Sequence, residues 1–143
     1  MTSLILAAAT RLILPLMLLF SVFLLLRGHQ EPGGGFVGGL VAASGFALYA
    51  IAYGVDRARE VFRIGTIELI GAGLLLAFIS GLLSLFWDRP FMTALWTGIE
   101  LPVIGELSTP LVFDTGVYLV VVGVTLTVIF AMFEAEDEED REA

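Results

Sequence analysis

The stretch LILAAATRLILPLMLLFSVFLLL, residues 4–26, decides the fold class of this chain. Arg11 is its one charged residue, and the run matches the roughly 20 apolar residues with which a helix crosses the hydrocarbon core of a bilayer. It is too long for a membrane β-strand and lacks apolar–polar alternation. The residues that follow, RGHQEP, do not form the small-residue cleavage site of a signal peptide. The stretch therefore predicts an uncleaved membrane-spanning helix.

Three further apolar stretches, residues 34–53, 67–87 and 111–133, have the length of a span. Span three, residues 67–87, contains one charged residue, Glu68, and span four, residues 111–133, contains one, Asp114. Only 15% of the 143 residues are charged and 58% are hydrophobic, which is too little charge to cover the core of a soluble domain. We expect an all-α integral membrane protein, a bundle of four transmembrane helices occupying residues 1–133.

A long outer loop, residues 88–110, connects spans three and four. Within it Phe91 and Leu95, like Met92 and Trp96, stand four residues apart, which predicts a short helix lying in the membrane interface. Residues 101–107 are expected to be extended or turned. Trp87 and Trp96 fit an aromatic belt at the membrane surface.

The distribution of arginines between the two sides of the membrane predicts the orientation of the chain. Five of the seven arginines fall on the side of the N-terminus, the second loop and the C-terminus, so both termini are expected in the cytoplasm. Residues 134–143 carry seven acids and one Arg, a net of −6 out of the formal −8 of the whole chain. Because like charges repel, this segment is expected to be a disordered cytoplasmic tail. A docking or cation-collecting tail is the alternative.

The most unusual segment is PGGGFVGGLVAASG, residues 32–45. Its match to G-x-G-x-x-G has no preceding strand, which excludes dinucleotide binding. Its small residues instead recur every four positions on two helix faces, which predicts close helix neighbours on both sides. One face carries Gly35, Gly39 and Ala43, the other Gly34, Gly38 and Ala42, and span three has its own stripe of Gly73, Ala77 and Gly81.

Ionisable residues inside spans are the usual functional candidates. Glu68 and Asp114 each allow two interpretations: an acid favoured by the helix dipole after a cap at Thr66 or Thr109, or a carboxylate on an ion path. His29 is either a hydrogen-bonded loop residue or a titrating group near such a path, and Glu31 in the same loop is a further candidate.

Two arginines are candidates for ion pairs with these acids. Arg11 lies about 10 Å along the helix from its start and either reaches the inner surface or pairs with Glu68. Arg27, at the outer end of span one, is a candidate partner for Asp114. Both pairings are hypotheses from depth alone.

Several functions are excluded by absent residues. The chain has no Cys and no Lys, which excludes thiolate metal sites, cysteine nucleophiles, Walker A loops and Schiff-base enzymes. The acidic net charge disfavours nucleic acid as a partner. We expect no enzyme activity, no cofactor and no metal site.

Two motifs resemble those of the MnhB (MrpB) family, which supplies one of the small subunits of the Mrp-type multisubunit Na⁺/H⁺ antiporter. They are RGHQEPGGGFVGGL at residues 27–40 and TPLVFDTGVYLVV at residues 109–121. The residues that match the family motifs are His29, Pro32, Gly33, Gly34, Gly35, Phe36 and Asp114. The resemblance runs from about Arg11 to Phe133 and leaves out the acidic tail.

The resemblance implies an accessory subunit of a complex that exchanges cytoplasmic Na⁺ or Li⁺ for external H⁺ and supports pH homeostasis. The partners it implies are complex I-like membrane subunits and membrane lipid, with Na⁺ and H⁺ as the ions that the complex transports. The Gly-rich faces would then be buried against other subunits. A purely structural subunit without ion contacts, in this or a related hydrogenase-like module, is the alternative. A self-sufficient small exporter would need a carboxylate in the middle of span one, where only Arg11 stands.

Overall fold

The computed structural model describes residues 3–28, 33–102 and 105–143, and of residues 105–107 only the backbone. Five α-helices and one β-hairpin make up the described chain. The helices are α1 (Leu4–Arg27), α2 (Gly35–Tyr53), α3 (Val55–Phe62), α4 (Thr66–Leu83) and α5 (Thr109–Glu142). A 3₁₀ turn, Ser84–Trp87, extends α4, and the hairpin pairs β1 (Trp96–Leu101) with β2 (Gly105–Ser108).

Four of these helices are long and apolar enough to cross a membrane: α1, α2, α4 with its 3₁₀ turn, and α5. This confirms the predicted all-α membrane fold with four spans. Helices satisfy their own backbone hydrogen bonds, which is why a chain this apolar adopts them in lipid. At the start of α1, Ser3 accepts a hydrogen bond from the Leu6 backbone N–H at 3.5 Å.

The spans stand side by side in the order α1, α2, α5, α4. Helix α2 packs against α1 on one side and α5 on the other, and α5 packs against α4. The buried cluster follows these contacts from Leu14 in α1 through Ala43 and Phe46 in α2 to Leu126 and Phe130 in α5. The two inner helices, α2 and α5, therefore hold the outer two in place.

Both small-residue faces of α2 are filled by neighbours from the same chain. A Cβ added at Gly38 would lie 2.7 Å from the Ser21 carbonyl oxygen of α1, and one at Gly39 would lie 2.9 Å from the Val121 side chain of α5. Gly35 lies directly against the backbone carbonyl of Asp114. Neighbours on both sides were predicted, but α1 and α5 take the places that were expected for other subunits.

Helices α4 and α5 cross at a second glycine contact. A Cβ at Gly73 would lie 2.6 Å from the Gly116 carbonyl oxygen, and one at Gly116 would lie 2.7 Å from that of Gly73. Ala77 completes the contact, since its backbone nitrogen would lie 2.8 Å from a Cβ at Gly116. The two backbones therefore approach as closely as glycine permits.

The loop after α4 differs from the predicted interfacial helix. The Met92 N–H donates to the Gly81 carbonyl at 3.3 Å, and Met92 takes a φ of 65°, which no right-handed helix allows. The side chains of Phe91 and Met92 pack on Gly81. Trp96 begins β1 and pairs with Ser108. Of the predicted segment 101–107, Leu101 ends β1, Pro102 is in a turn and residues 105–107 lie in β2.

A short amphipathic helix, α3, joins spans α2 and α4 and was not predicted. It buries Val55 and Ala58 against the bundle and exposes most of its charged residues. Arg63 ends it in the left-handed conformation with φ 60°. Its main contacts are with α2 and α5, so its apolar face packs on the inner pair of helices.

The acidic segment 134–143 also differs from the disordered tail expected from its charge. Helix α5 continues without interruption to Glu142. Arg59 of α3 binds the Glu134 carboxylate at 2.7 Å and lies 4.9 Å from the centre of the Phe130 ring. Arg141 in the last turn further offsets the acidic charge near the negative end of the helix dipole.

We predict that Gly73→Ala lowers the free energy of unfolding by about 1–3 kcal/mol, because the new methyl group would collide with the α5 backbone. Gly71→Ala in the same helix is the matched control, since a Cβ there meets nothing within 4 Å. We expect it to be neutral or to stabilise by up to about 1 kcal/mol through helix propensity. Unfolding of the purified chain in detergent measures both, and equal stability of the two variants would contradict the packing role.

Candidate ion-path site at the hairpin end of the bundle

The two acids of the spans lie at opposite ends of the bundle. We call the end where α5 begins beside the β-hairpin the hairpin end, and the end where α3 lies the tail end. Asp114 is near the start of α5 and Glu68 is in the first turn of α4. The start of α4 meets the second half of α5, where the hydroxyl oxygens of Thr66 and Thr127 lie 2.8 Å apart in a hydrogen bond. The two carboxylates therefore cannot share one site.

Glu68 lies in the first turn of α4, beside the residue that begins the helix. Gly65 is the N-cap residue of α4, Thr66 is the first helical residue, and the Glu68 carboxylate folds back over Gly65. An exposed acid in the first turn is favoured by the helix dipole. The first-turn position agrees with the dipole interpretation of Glu68, but Gly65 and not Thr66 holds the cap position, without a side-chain cap bond.

Asp114 does not occupy the first turn of its helix. Ser108 holds the N-cap position without a side-chain cap bond, Thr109 and Pro110 follow it, and no acid lies in the first turn. This corrects the expected cap at Thr109 with Pro110 first. The dipole effect falls off beyond the first turn, so it accounts less well for Asp114 than for Glu68.

Asp114 faces the glycine segment that precedes α2. Its carboxylate Oδ2 would lie 3.6 Å from a Cβ at Gly34, and its backbone carbonyl contacts Gly35. Gly33 and Gly34 have φ values of 151° and 105°, which L side chains rarely adopt. Glycine is needed here because the loop takes this backbone conformation while passing directly over the partly buried carboxylate.

A recess of about 160 Å³ opens on another side of Asp114, between α4, α5 and the loop after α4. It has room for about five waters. Three hydroxyl side chains, those of Ser80, Thr93 and Thr109, line it with the carboxylate. The hydroxyls of Ser80 and Thr93 donate to the carbonyls of Ala77 and Pro90, at 3.1 Å and 2.6 Å, and Thr109 Oγ1 accepts from Leu95 N–H at 2.9 Å.

This arrangement is suited to a hydrated cation or to water. Donation to the backbone leaves the Ser80 and Thr93 oxygens able to accept hydrogen bonds or to face a cation, and hard cations prefer oxygen donors. No group of three or more His, Cys, Asp or Glu residues that could hold a metal ion occurs within the described ranges. Sequence reasoning missed the recess because its members come from three separate segments.

Tyr118 lies one helical turn after Asp114 and connects three helices. Its hydroxyl lies 2.9 Å from Ser21 Oγ, while Ser21 donates to the Leu18 carbonyl at 2.7 Å. Since a serine hydroxyl has one proton, Tyr118 is the donor of the shared bond. Its ring also contacts Gly38, so this bond joins α5 to α1 across the glycine face of α2.

The hypothesised pair between Arg11 and Glu68 is not formed. Arg11 lies 5.5 Å from the centre of the Tyr53 ring, and the Tyr53 hydroxyl donates to the Ala7 carbonyl at 2.7 Å. Helices α1 and α4 stand at opposite edges of the row, too far apart for this contact. The guanidinium of Arg27 lies 5.6 Å from the Phe23 ring centre, and its pairing with Asp114 stays a hypothesis.

The other predicted residues divide between packing and exposure. Phe36 is exposed on α2, Gly81 packs under Phe91 and Met92, and Ala43 is fully buried. His29, Glu31 and Pro32 lie outside the described residues.

Comparison with known proteins gives a consistent result. A family model described as "Domain related to MnhB subunit of Na+/H+ antiporter" matches residues 5–127. The B-type subunit of the Na(+)/H(+) antiporter of Bacillus subtilis (strain 168) is 46% identical over 135 residues, covering 93% of this chain and 94% of that protein. The protein of the same name from Alkalihalophilus pseudofirmus is 37% identical over 131 residues, covering 90% of each.

A solved structure matches as well. It is a chain in the "Structure of Mrp complex from Dietzia sp. DQ12-45-1b", with a TM-score of 0.78 and 34% identity. The match covers 90% of this chain and 14% of the length of that chain.

We predict that Tyr118→Phe lowers the free energy of unfolding by about 1 kcal/mol, the usual net value of one hydrogen bond. Ser21→Ala should give a similar loss, and the double variant should lose little more than either, because both remove the same bond. Tyr49→Phe serves as the control, since the described contact of its ring is a stack on Tyr53 and not a hydroxyl bond. Fully additive losses in the double variant would contradict the coupling.

Proposed function

Because the chain belongs to the family of MnhB subunits of Na⁺/H⁺ antiporters, we propose that it is the accessory subunit through which such a complex sustains proton-driven Na⁺ or Li⁺ efflux and pH homeostasis. It is a multi-pass membrane protein and a subunit of the Mrp antiporter complex, part of a transporter and not of a catalytic enzyme. Its partners are the other membrane subunits of that complex.

The positions of the charges support an accessory role. The chain has no Lys, and its two span acids, Glu68 and Asp114, each lie near the start of a helix, at opposite ends of the bundle. Among the described residues, the middle of the bundle offers hydroxyls such as Ser21 and Tyr118 but no carboxylate. A proton relay across the whole membrane needs ionisable groups along its length, so the principal path belongs to other subunits.

Asp114 is the residue that we propose on the ion path. The observation that carries this is its location: a partly buried carboxylate, beyond the helix dipole's main reach, that borders a recess lined with hydroxyls. It would accept a proton or attract a cation where ions enter or leave the complex at the hairpin end. His29 and Glu31 are further candidates by sequence.

A purely structural role for Asp114 is the second candidate. Its backbone and carboxylate both contact the glycine segment, so the residue could serve only to fix the start of α2 against α5. Asparagine keeps the shape of the side chain and removes the charge, and it therefore separates the two roles.

We expect Asp114→Asn to leave assembly of the complex intact and to lower Na⁺-dependent proton movement in membrane vesicles by about 100-fold, the scale of a positioned proton-transfer group. Subunit stoichiometry after purification reports assembly separately. Asp88→Asn, an exposed acid just after the 3₁₀ turn, and Glu68→Gln at the tail end are controls that should retain exchange. Lost assembly would support the structural role, and unchanged exchange would remove Asp114 from the path.

We further propose that the tail end faces the cytoplasm. Arg11, Arg57, Arg63 and the Arg59–Glu134 pair are at this end, and basic residues are retained on the cytoplasmic side. The hairpin end, with Trp87 and Trp96, then faces outward.

The absence of Cys from the sequence makes this orientation directly testable. We expect a membrane-impermeant maleimide to label Glu100→Cys, on the exposed face of β1, in intact cells. Ala143→Cys should react only after the membrane is permeabilised. The reverse labelling pattern would invert the proposed orientation without affecting the fold.

A further inference from the structure

A second and larger cavity, about 770 Å³, lies at the hairpin end, next to the recess at Asp114, with which it shares the lining residue Thr109. It is a groove between the end of α4, the β-hairpin and the first turn of α5. The residues that give it its chemistry are Leu83, Trp87, Arg89, Trp96, Ser108 and Leu111. Its volume falls within the range of about 300–1,000 Å³ that is usual for ligand sites.

The lining changes from apolar to charged along the groove. Leu83 and Leu111 belong to the membrane-spanning helices, and Trp87 ends the 3₁₀ turn at the edge of the span. Arg89 is exposed just beyond it, and no described residue forms an ion pair with it. The groove therefore runs from the depth of lipid tails to the depth of lipid headgroups, where Trp rings are favoured.

Ser108 supplies an independent indication of a ligand. It is only 5% exposed, lines the groove, and its Oγ has no hydrogen-bond partner in the part of the chain that the structure describes. As the N-cap residue of α5 it would be expected to cap the helix, yet its side chain makes no cap bond. A buried hydroxyl without a partner is unfavourable, so a polar group in the groove would satisfy it.

We propose that this groove binds one anionic glycerophospholipid from the leaflet at the hairpin end. The phosphate lies against Arg89 between the two Trp rings, the Ser108 hydroxyl donates to an ester carbonyl, and an acyl chain lies along Leu83 and Leu111. A helix of a neighbouring protein fits less well. A helix is about 10 Å wide and packs along the length of a span, whereas this groove is confined to the ends of α4 and α5.

The two tryptophans make the groove directly observable, because they are the only two in the chain and both line it. The purified full-length chain in detergent is titrated with brominated phosphatidylglycerol or with brominated phosphatidylcholine, whose bromines quench Trp fluorescence on contact. We expect saturable quenching by both lipids, with half-saturation at about fivefold lower concentration for phosphatidylglycerol, the scale of one arginine acting on an anionic lipid.

Arg89→Gln should abolish the preference for phosphatidylglycerol and leave quenching by phosphatidylcholine unchanged. Arg57→Gln, an exposed arginine at the tail end, should keep the preference. Ser108→Ala removes no cap bond and so should fold normally, and it should raise the half-saturation concentration of both lipids by about threefold to tenfold. Circular dichroism verifies the fold of each variant.

Three results would overturn the proposal. Equal half-saturation concentrations for the two lipids in the unmodified chain would show that the groove does not select the anionic headgroup. An unchanged preference in Arg89→Gln would place the anionic lipid elsewhere. Absence of saturable quenching by either lipid would assign the groove to a neighbouring protein. None of these results depends on antiport, so they leave the role of Asp114 to its own experiment.

Discussion

Close contact between helix backbones is the constraint on which the rest of this structure depends. Lipid tails are as apolar as Leu, so helices in a bilayer gain little from hiding apolar side chains from one another. They gain from close packing, and here it is concentrated where α2 meets α1 and α5 and where α4 meets α5. A Cβ at Gly38 would lie 2.7 Å from the Ser21 carbonyl of α1, and one at Gly73 would lie 2.6 Å from the Gly116 carbonyl of α5. Disrupting either contact would separate an outer helix from the inner pair.

The same packing gives Asp114 its surroundings. Since Gly35 lets α2 lie directly on the α5 backbone, the preceding segment passes over the carboxylate at Gly34. On the other side the loop after α4 leaves the recess of Ser80, Thr93 and Thr109. One acid thus borders a tight backbone contact and a polar space. For this reason the packing of Asp114 and its proposed ion role can only be separated by a substitution that keeps the shape of the side chain.

The sequence predicted those features that depend on composition and local spacing. The four spans follow from hydropathy, the two faces of α2 follow from small residues four apart, and the family follows from two motifs. Predictions were wrong or lacking for the features that depend on contacts between distant segments. Phe91 and Met92 have helical spacing, but Gly81 draws both away from a helix. The tail has the composition of a disordered segment, yet α5 continues through it beside Arg59. The same reason applies to the site: Ser80, Thr93 and Thr109 meet at Asp114 only after folding.

Helix α5 has one further mechanical consequence. It is 34 residues long, about 51 Å, which exceeds the roughly 30 Å hydrocarbon core. Its one proline, Pro110, is at the start, so the described helix has no proline kink along its length. A rod of this kind transmits tilt: about 5° of rotation at the Asp114 end displaces the far tip by about 4 Å. The position of the acidic end of α5 therefore depends strongly on the tilt that the glycine contacts impose on the helix.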